Sequence, residues 1–257
     1  MIPLDDRGLL LGDGLFETLL ALDGELVWAE AHLDRLAAGC VTLGLPTPDP
    51  MEAARQMRTA LASAGLQRGR AAVRLTLTAG SGGRGLDRPG TPTPRMFAVA
   101  APAPAPAGPA RLVVSEVRRN EGSPASRLKT LAYLDNVLAR AEARAAGADE
   151  ALMLNNRGEA ACATAANVFW MREGRLYTPA LACGVLAGIA RAHVIAFAAG
   201  QGLETVEVRA SLDEVLQAEA MVLSNSLIGL RPVARLGDRA FTGRDLAAQL
   251  QGALAQS

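Results

Sequence analysis

The sequence predicts a mixed fold, α+β or α/β, in two domains: a small N-terminal α/β domain and a larger, strand-rich C-terminal one. At 257 residues the chain is long enough to fill two hydrophobic cores. Apolar patterns of period 2 and period 3.6 take turns through the first hundred residues. A run of alternating alanine and proline, APAPAPAGPA, ends at residue 110. Each proline lacks a donor and favours extended backbone, so the run reads as a semi-rigid connector. The expected domains are 1–101 and 111–257, joined by a linker over 102–110.

In the first domain a strand is expected over 15–22, then the turn dipeptide Asp23-Gly24 and a returning strand over 25–28. Helical spacing covers 31–43 and 51–64, and strand-like runs cover 72–79 and 96–101. Beyond the linker come a strand over 112–117, a long helix over 131–146, and strands near 151–154 and 168–171. A helix follows over 188–199, closed by Gly200, then strands near 205–208 and 221–223. A polar-capped final helix starts near Thr242. No internal repeat is visible.

Lys+Arg and Asp+Glu are both 26, so the basic excess expected of a nucleic-acid binder is missing. No apolar window approaches a membrane span, and acidic residues stand near the start where a signal peptide needs basic ones. Three cysteines without metal-like spacing fit a reducing cytoplasm, and two histidines rule out a histidine-rich metal site. Phosphate-loop, dinucleotide, HExxH and GxSxG signatures are all absent. Of the basic residues one alone is lysine, Lys129. Where arginine serves every other positive charge, a retained lysine points to chemistry that arginine cannot do. Guanidinium never deprotonates, whereas an amine can become a neutral nucleophile and condense with a carbonyl.

Lys129 lies in SRLKTLAYLDNVLA, at the junction of an irregular stretch and a helix. GVLAGIA (184–190) runs straight into a helix, so its backbone N–H groups can converge on an anion at the positive helix end; an ordinary helix start is the alternative. Ser224-Asn225-Ser226-Leu227 closes a strand with small hydrogen-bonding residues. SGGRG (81–85) offers Arg84 to an anion, or is a common glycine-rich hairpin tip.

These segments come in order along nearly the whole chain: DRGLLLGDGLFETL (6–19), HLDRL (32–36), GSGGRG (80–85), LKTLAYLDNVLA (128–139), DEALMLN (149–155), ANVFW (166–170), GVLAGIAR (184–191) and SNSLIGLRPV (224–233). Together they resemble the fold type IV pyridoxal-phosphate (PLP) enzymes, the branched-chain and D-amino-acid aminotransferase-like family, and within it the lyases of 4-amino-4-deoxychorismate. The resemblance implies that Lys129 binds the cofactor covalently and then shuttles the substrate proton. It also implies that Arg35 contacts the cofactor phosphate, and that Gly188, Ile189 and Ala190 supply backbone amides to it. Ser226 and Leu227 form a second phosphate-side loop, and Leu186 lies against the ring. Phe16 and Arg84 face substrate, and no metal is involved. The implied reaction eliminates pyruvate and leaves 4-aminobenzoate for folate synthesis. The implied assembly is a cytoplasmic homodimer with no nucleic-acid or membrane partner, its active sites between domains and bordered by the other chain.

Against that pattern the sequence departs at several places. The glutamate that pairs with the pyridine nitrogen falls, counting back five residues from Asn167, on Cys162. Glu159 is three residues too early, an odd spacing that turns it to the other strand face. Ala190 stands for the threonine many relatives use, and Phe16 for the tyrosine of D-amino-acid aminotransferases. The strand that usually precedes the DRG motif is not in this sequence. The alternatives are an aminotransferase for branched-chain or D-amino acids, and a degenerate homologue that binds the cofactor without turnover.

Overall fold

The computed structural model describes residues 2–243 and 245–254. These fall into two compact units: the first runs to Pro104 and takes back Leu128–Ala132, and the second holds Ala105–Arg127 and the chain from Tyr133 onward.

The first unit contains α1 (Arg7–Leu11), β1 (Gly14–Leu22), β2 (Glu25–Leu26), α2 (Ala29–Leu43), α3 (Pro50–Ser63), β3 (Arg70–Thr78) and β4 (Arg95–Pro102). The strands form an antiparallel sheet in the order β2-β1-β3-β4. Register sorts its two faces cleanly. Leu15, Leu19 and Ala21 of β1, with Val73, Leu75 and Leu77 of β3, join Leu36, Met57 and Leu61 of the helices in one buried core. The opposite face carries Phe16 and Thr18 of β1 beside Thr76 and Arg74 of β3. This is the period-2 alternation of a sheet with one face packed against helices. Asp6 caps α1 by accepting from Gly8 and Leu9 N–H, and Asp49 caps α3 ahead of Pro50 at its first turn. The returning strand expected over 25–28 is cut to two residues, because Trp28 adopts a left-handed φ of 54° and α2 begins at Ala29.

The second unit contains β5 (Ala110–Val114), α4 (Pro124–Arg127), α5 (Leu134–Ala145), β6 (Glu150–Leu154), β7 (Ala160–Ala163), β8 (Asn167–Arg172), β9 (Arg175–Pro179), α6 (Ile189–Gly200), β10 (Thr205–Val208), α7 (Leu212–Leu216), β11 (Ala220–Asn225), β12 (Gly229–Leu236), β13 (Arg239–Ala240) and α8 (Leu246–Gln249). One mixed sheet runs β10-β9-β8-β11-β12-β5-β6-β7, with β13 on β12. Ala163 N–H donates to Ala166 O at 2.8 Å, so the edge strand β7 turns directly into the interior strand β8 and the sheet curls back on itself. Trp170, Met221, Leu223, Leu112 and Leu152 fill its core.

Two more expectations are corrected. The helix expected from residue 131 starts at Leu134, because 128–131 pairs with β1 instead. The helix expected near Thr242 begins at Leu246, and its N-cap, Asp245, makes no side-chain cap bond. Among the described residues no helix is long and apolar enough to cross a membrane, and no cluster of His, Cys, Asp and Glu could hold a metal ion.

Candidate active site

Lys129 belongs to an extended segment, not to a helix. Phe16 N–H donates to Lys129 O (2.9 Å), Leu131 N–H donates to Gly14 O (3.0 Å), and Leu15 bridges Thr130. Gly14 permits this approach: a Cβ there would lie 2.3 Å from Leu77 O and 2.8 Å from Leu131 Cδ1. Pairing with Phe16 sets Lys129 on the sheet face away from the helices. Its Nζ lies 4.4 Å from the centroid of the buried Phe16 ring, and the Arg74 guanidinium carbon lies 3.6 Å from the same centroid. Loss of solvent lowers the Lys129 pKa to about 8; the Glu17 carboxylate opposes this, and Arg35 and Arg74 add to it. About a tenth of such an amine is neutral at pH 7, hundreds of times more than for an ordinary lysine.

The core face of the same strand carries a charged cluster the sequence reading did not name. Glu17, 1% exposed, accepts Arg35 Nε at 2.8 Å and Nη2 at 2.6 Å, a forked pair. Its Oε2 also meets His32 Nδ1 at 2.7 Å. Burial raises the Glu17 pKa, but Arg35 and His32 outweigh it and the net direction is down, so the group is a carboxylate. Burial pushes His32 below the usual histidine range despite Glu17. The neutral ring therefore donates through Nδ1, and its buried Nε2 has no hydrogen-bond partner among the described residues. Arg35, expected on the cofactor phosphate, spends two of its N–H groups on Glu17. The signal was there: Glu17 falls between Leu15 and Leu19 on the buried side of an alternating strand, where an acid needs a partner.

In the second unit GVLAGIA forms the expected helix start. Gly188 is the N-cap of α6 and no side chain caps the helix there; the first intrahelical bond runs from Ala192 N–H to Gly188 O (3.0 Å). The Ile189 and Ala190 amides are thus turned toward the open helix end, the place where an anion binds. A Cβ at Gly188 would lie 2.0 Å from Asn167 Oδ1, so glycine leaves this cradle its room. Asn167 Nδ2 donates to Leu186 O at 3.0 Å and ties the loop to β8. The buried Ser224, which pairs with Asn167 in register, has a hydroxyl with no hydrogen-bond partner among the described residues. Asn225 Oδ1 accepts both Leu227 N–H (2.9 Å) and Ile228 N–H (2.8 Å), while its Nδ2 donates to Ala165 O (2.8 Å). The Leu227 amide is therefore engaged by Asn225, and Ser226 is the half-buried residue between them.

Cys162 lies in β7, buried with Ala161, Cys183 and Val185. Burial raises its thiol pKa; Arg119 pulls it down and Glu150 pushes it up. Glu159 accepts Asn155 Nδ2 at 2.7 Å, and Glu150 is held by Thr164 and by Arg140 at 2.6 Å. Arg84 is exposed on a loop whose carbonyls at Gly82, Gly85, Leu86 and Asp87 all accept from the buried Arg7. Each unit by itself offers groups whose chemistry suits PLP: the first a partly desolvated lysine amine, the second an uncapped helix start with a glycine cradle.

The family model described as amino-transferase class IV matches residues 14–236. A protein of Methanocaldococcus jannaschii, provisionally named a branched-chain-amino-acid aminotransferase, is 32% identical over 94% of this chain and 84% of its own length. An aminodeoxychorismate lyase of Vibrio harveyi is 30% identical, covering 91% of this chain and 86% of that protein. The crystal structure of 4-amino-4-deoxychorismate lyase from Pseudomonas aeruginosa superposes with a TM-score of 0.87 at 32% identity, over 99% of this chain and 94% of that one. The chain belongs to the class IV aminotransferase family and has the fold type IV architecture of these PLP-dependent lyases and aminotransferases.

Proposed function

We propose that the chain is a 4-amino-4-deoxychorismate lyase, releasing pyruvate and leaving 4-aminobenzoate. The observation that carries this reading is the pairing of Lys129 with Phe16: the amine faces an aromatic ring without a phenol. On this strand Lys129 is the proton carrier, and an elimination that ends in an aromatic product needs little more. The likeness to two proteins named as this lyase supports the same reading.

In this reading Lys129 would hold PLP at its aldehyde, and the amides of Ile189 and Ala190 would bind its phosphate. The Lys129 amine would also accept the proton from the substrate carbon. Bound PLP supplies an electron sink for the bond-breaking at the substrate. The sheet face of Phe16 and Thr18 borders the reacting group and limits water there. The aminotransferase reading is favoured by the M. jannaschii relative. Supplying aminodeoxychorismate, or a branched-chain or D-amino acid with 2-oxoglutarate, separates the readings. Release of 4-aminobenzoate is expected; keto-acid formation alone overturns the lyase, and neither product leaves a binding homologue.

Cys162 sharpens that test. A buried neutral thiol cannot hold the ring nitrogen protonated, and losing a charge-assisted hydrogen bond there removes about 1.5–3 kcal/mol, roughly one to two decades in rate. Aromatisation offsets such a deficit for the lyase and not for transamination. Cys162→Glu is therefore expected to raise transaminase side activity proportionally more than lyase activity and to shift the cofactor's absorption. An unchanged spectrum and unchanged activities would show that residue 162 does not face the ring.

The proposed assembly is a homodimer. Leu9 and Leu10 on α1 are 61% and 63% exposed, and Leu134 and Val137 on α5 are 67% and 59% exposed, apolar surface that a second copy would cover. Light scattering is expected to give about twice 26.7 kDa. A monomer with full turnover would refute it.

A further inference from the structure

The sheet face that carries Lys129 holds a second cation, Arg74, beside the same aromatic ring. Arg74 pairs in register with Thr18, and Lys129 pairs through its backbone with Phe16, so the side chains of Phe16, Arg74 and Lys129 share one face. The guanidinium carbon and the amine nitrogen both lie within 4.4 Å of one ring centroid. A phenyl face attracts a cation through its quadrupole, but two cations drawn to the same ring repel each other. Arginine cannot relieve that repulsion by releasing a proton, and lysine can. We propose that Arg74 is a positioning residue for the Lys129 amine: sharing the Phe16 ring, its guanidinium biases that amine toward the neutral, nucleophilic form.

The other groups that act on the amine are Glu17, His32 and Arg35. Glu17 raises the amine's pKa and the Arg35 forked onto it lowers it, while His32 is held below its usual range. Arg74 adds to the lowering that loss of solvent dominates, and it does so beside the ring that the amine itself faces. The catalytic meaning of this bias rests on Lys129 being the residue that condenses with PLP. The bias itself exists before any cofactor binds.

The single lysine makes the test specific. Full-length protein freed of cofactor is labelled with limiting acetic anhydride across a pH series, and acetylation of Lys129 is counted by peptide mass, apart from the α-amino group. The wild-type rate is expected to reach half its plateau near pH 8. Arg74→Met keeps the apolar stem and Arg74→Gln keeps polarity, and both remove the charge. In each the midpoint is expected to rise by about one pH unit, with labelling at pH 7 slowed roughly tenfold, the size of effect one charge has in a partly buried site. Glu17→Gln is expected to move the midpoint the other way, a pair of opposite shifts that loosened packing does not produce. Circular dichroism confirms that each variant is folded. An unmoved midpoint in the folded Arg74 variants overturns the proposal, as does a fall; should neither Arg74 variant fold, a Glu17→Gln midpoint that fails to drop overturns it. Loading with PLP is scored separately, so failure of Lys129 to hold the cofactor and failure of Arg74 to tune it are distinct results.

Discussion

Lys129→Arg is expected to abolish turnover, lowering kcat by about four to six decades, the range seen when the nucleophile of a covalent mechanism is removed. Arginine keeps the charge and most of the length, and it cannot condense with an aldehyde. The geometry argues that the loss will be chemical. Lys129 is held by backbone bonds, Phe16 N–H to Lys129 O and Leu131 N–H to Gly14 O, and neither depends on the side chain. The Nζ makes its ring contact from a half-buried position, so a larger cation can be accommodated without opening the core. The measurement is a borohydride trap on PLP-loaded protein followed by peptide mapping. Wild type is expected to carry one phosphopyridoxyl group on Lys129, and the variant none, with unchanged melting temperature. A wild-type chain left unmodified would falsify the assignment, as would a Lys129→Arg variant with measurable lyase activity.

What could be read without coordinates divides along physical lines. Lys129 stood out because composition isolated it, and the α6 start because GVLAGIA placed glycine where a helix must begin. Arrangement was harder. The apolar spacing of LKTLAYLDNVLA continues into a helix pattern, so the helix was expected from residue 131. Tertiary pairing with β1 wins over that local preference and leaves Lys129–Leu131 extended. Strand β7, with sequence AACA, was not among the strands read from periodicity, since alanine carries little strand preference; it forms because β6 pairs with it. The Glu17–His32–Arg35 cluster was illegible as a unit, since its members lie on a strand and a helix that only folding brings together. Asn225 was read as part of a phosphate-side loop, whereas its side chain is what shapes that loop.

Removing Glu17 is expected to have the largest effect on stability. Glu17→Leu leaves Arg35 without its fork and His32 Nδ1 without its acceptor, both beside the apolar core of Leu15, Leu19 and Leu36. Taking one partner from a buried ion pair costs about 3–5 kcal/mol, because the remaining charge stays desolvated. Acid should reproduce part of that loss in wild type, and the sign follows from both shifts. Glu17 and His32 have folded pKa values below their ordinary ones, so the unfolded chain binds their protons first. Each contributes stability that is complete above its unfolded pKa, near 6.5 for His32 and 4.5 for Glu17, and is lost as pH falls through the folded value. Wild type is thus expected to lose stability progressively below about pH 6.5, with a further decline below about pH 4.5. In Glu17→Leu the lower step disappears along with its group. The upper step deepens, because without Glu17 to favour the protonated ring the His32 pKa falls further below its ordinary value. Urea denaturation at a series of pH values measures both. If Glu17→Leu matches wild type at pH 7.5, the buried fork contributes nothing net, and the cluster's importance is confined to the charge it presents to Lys129.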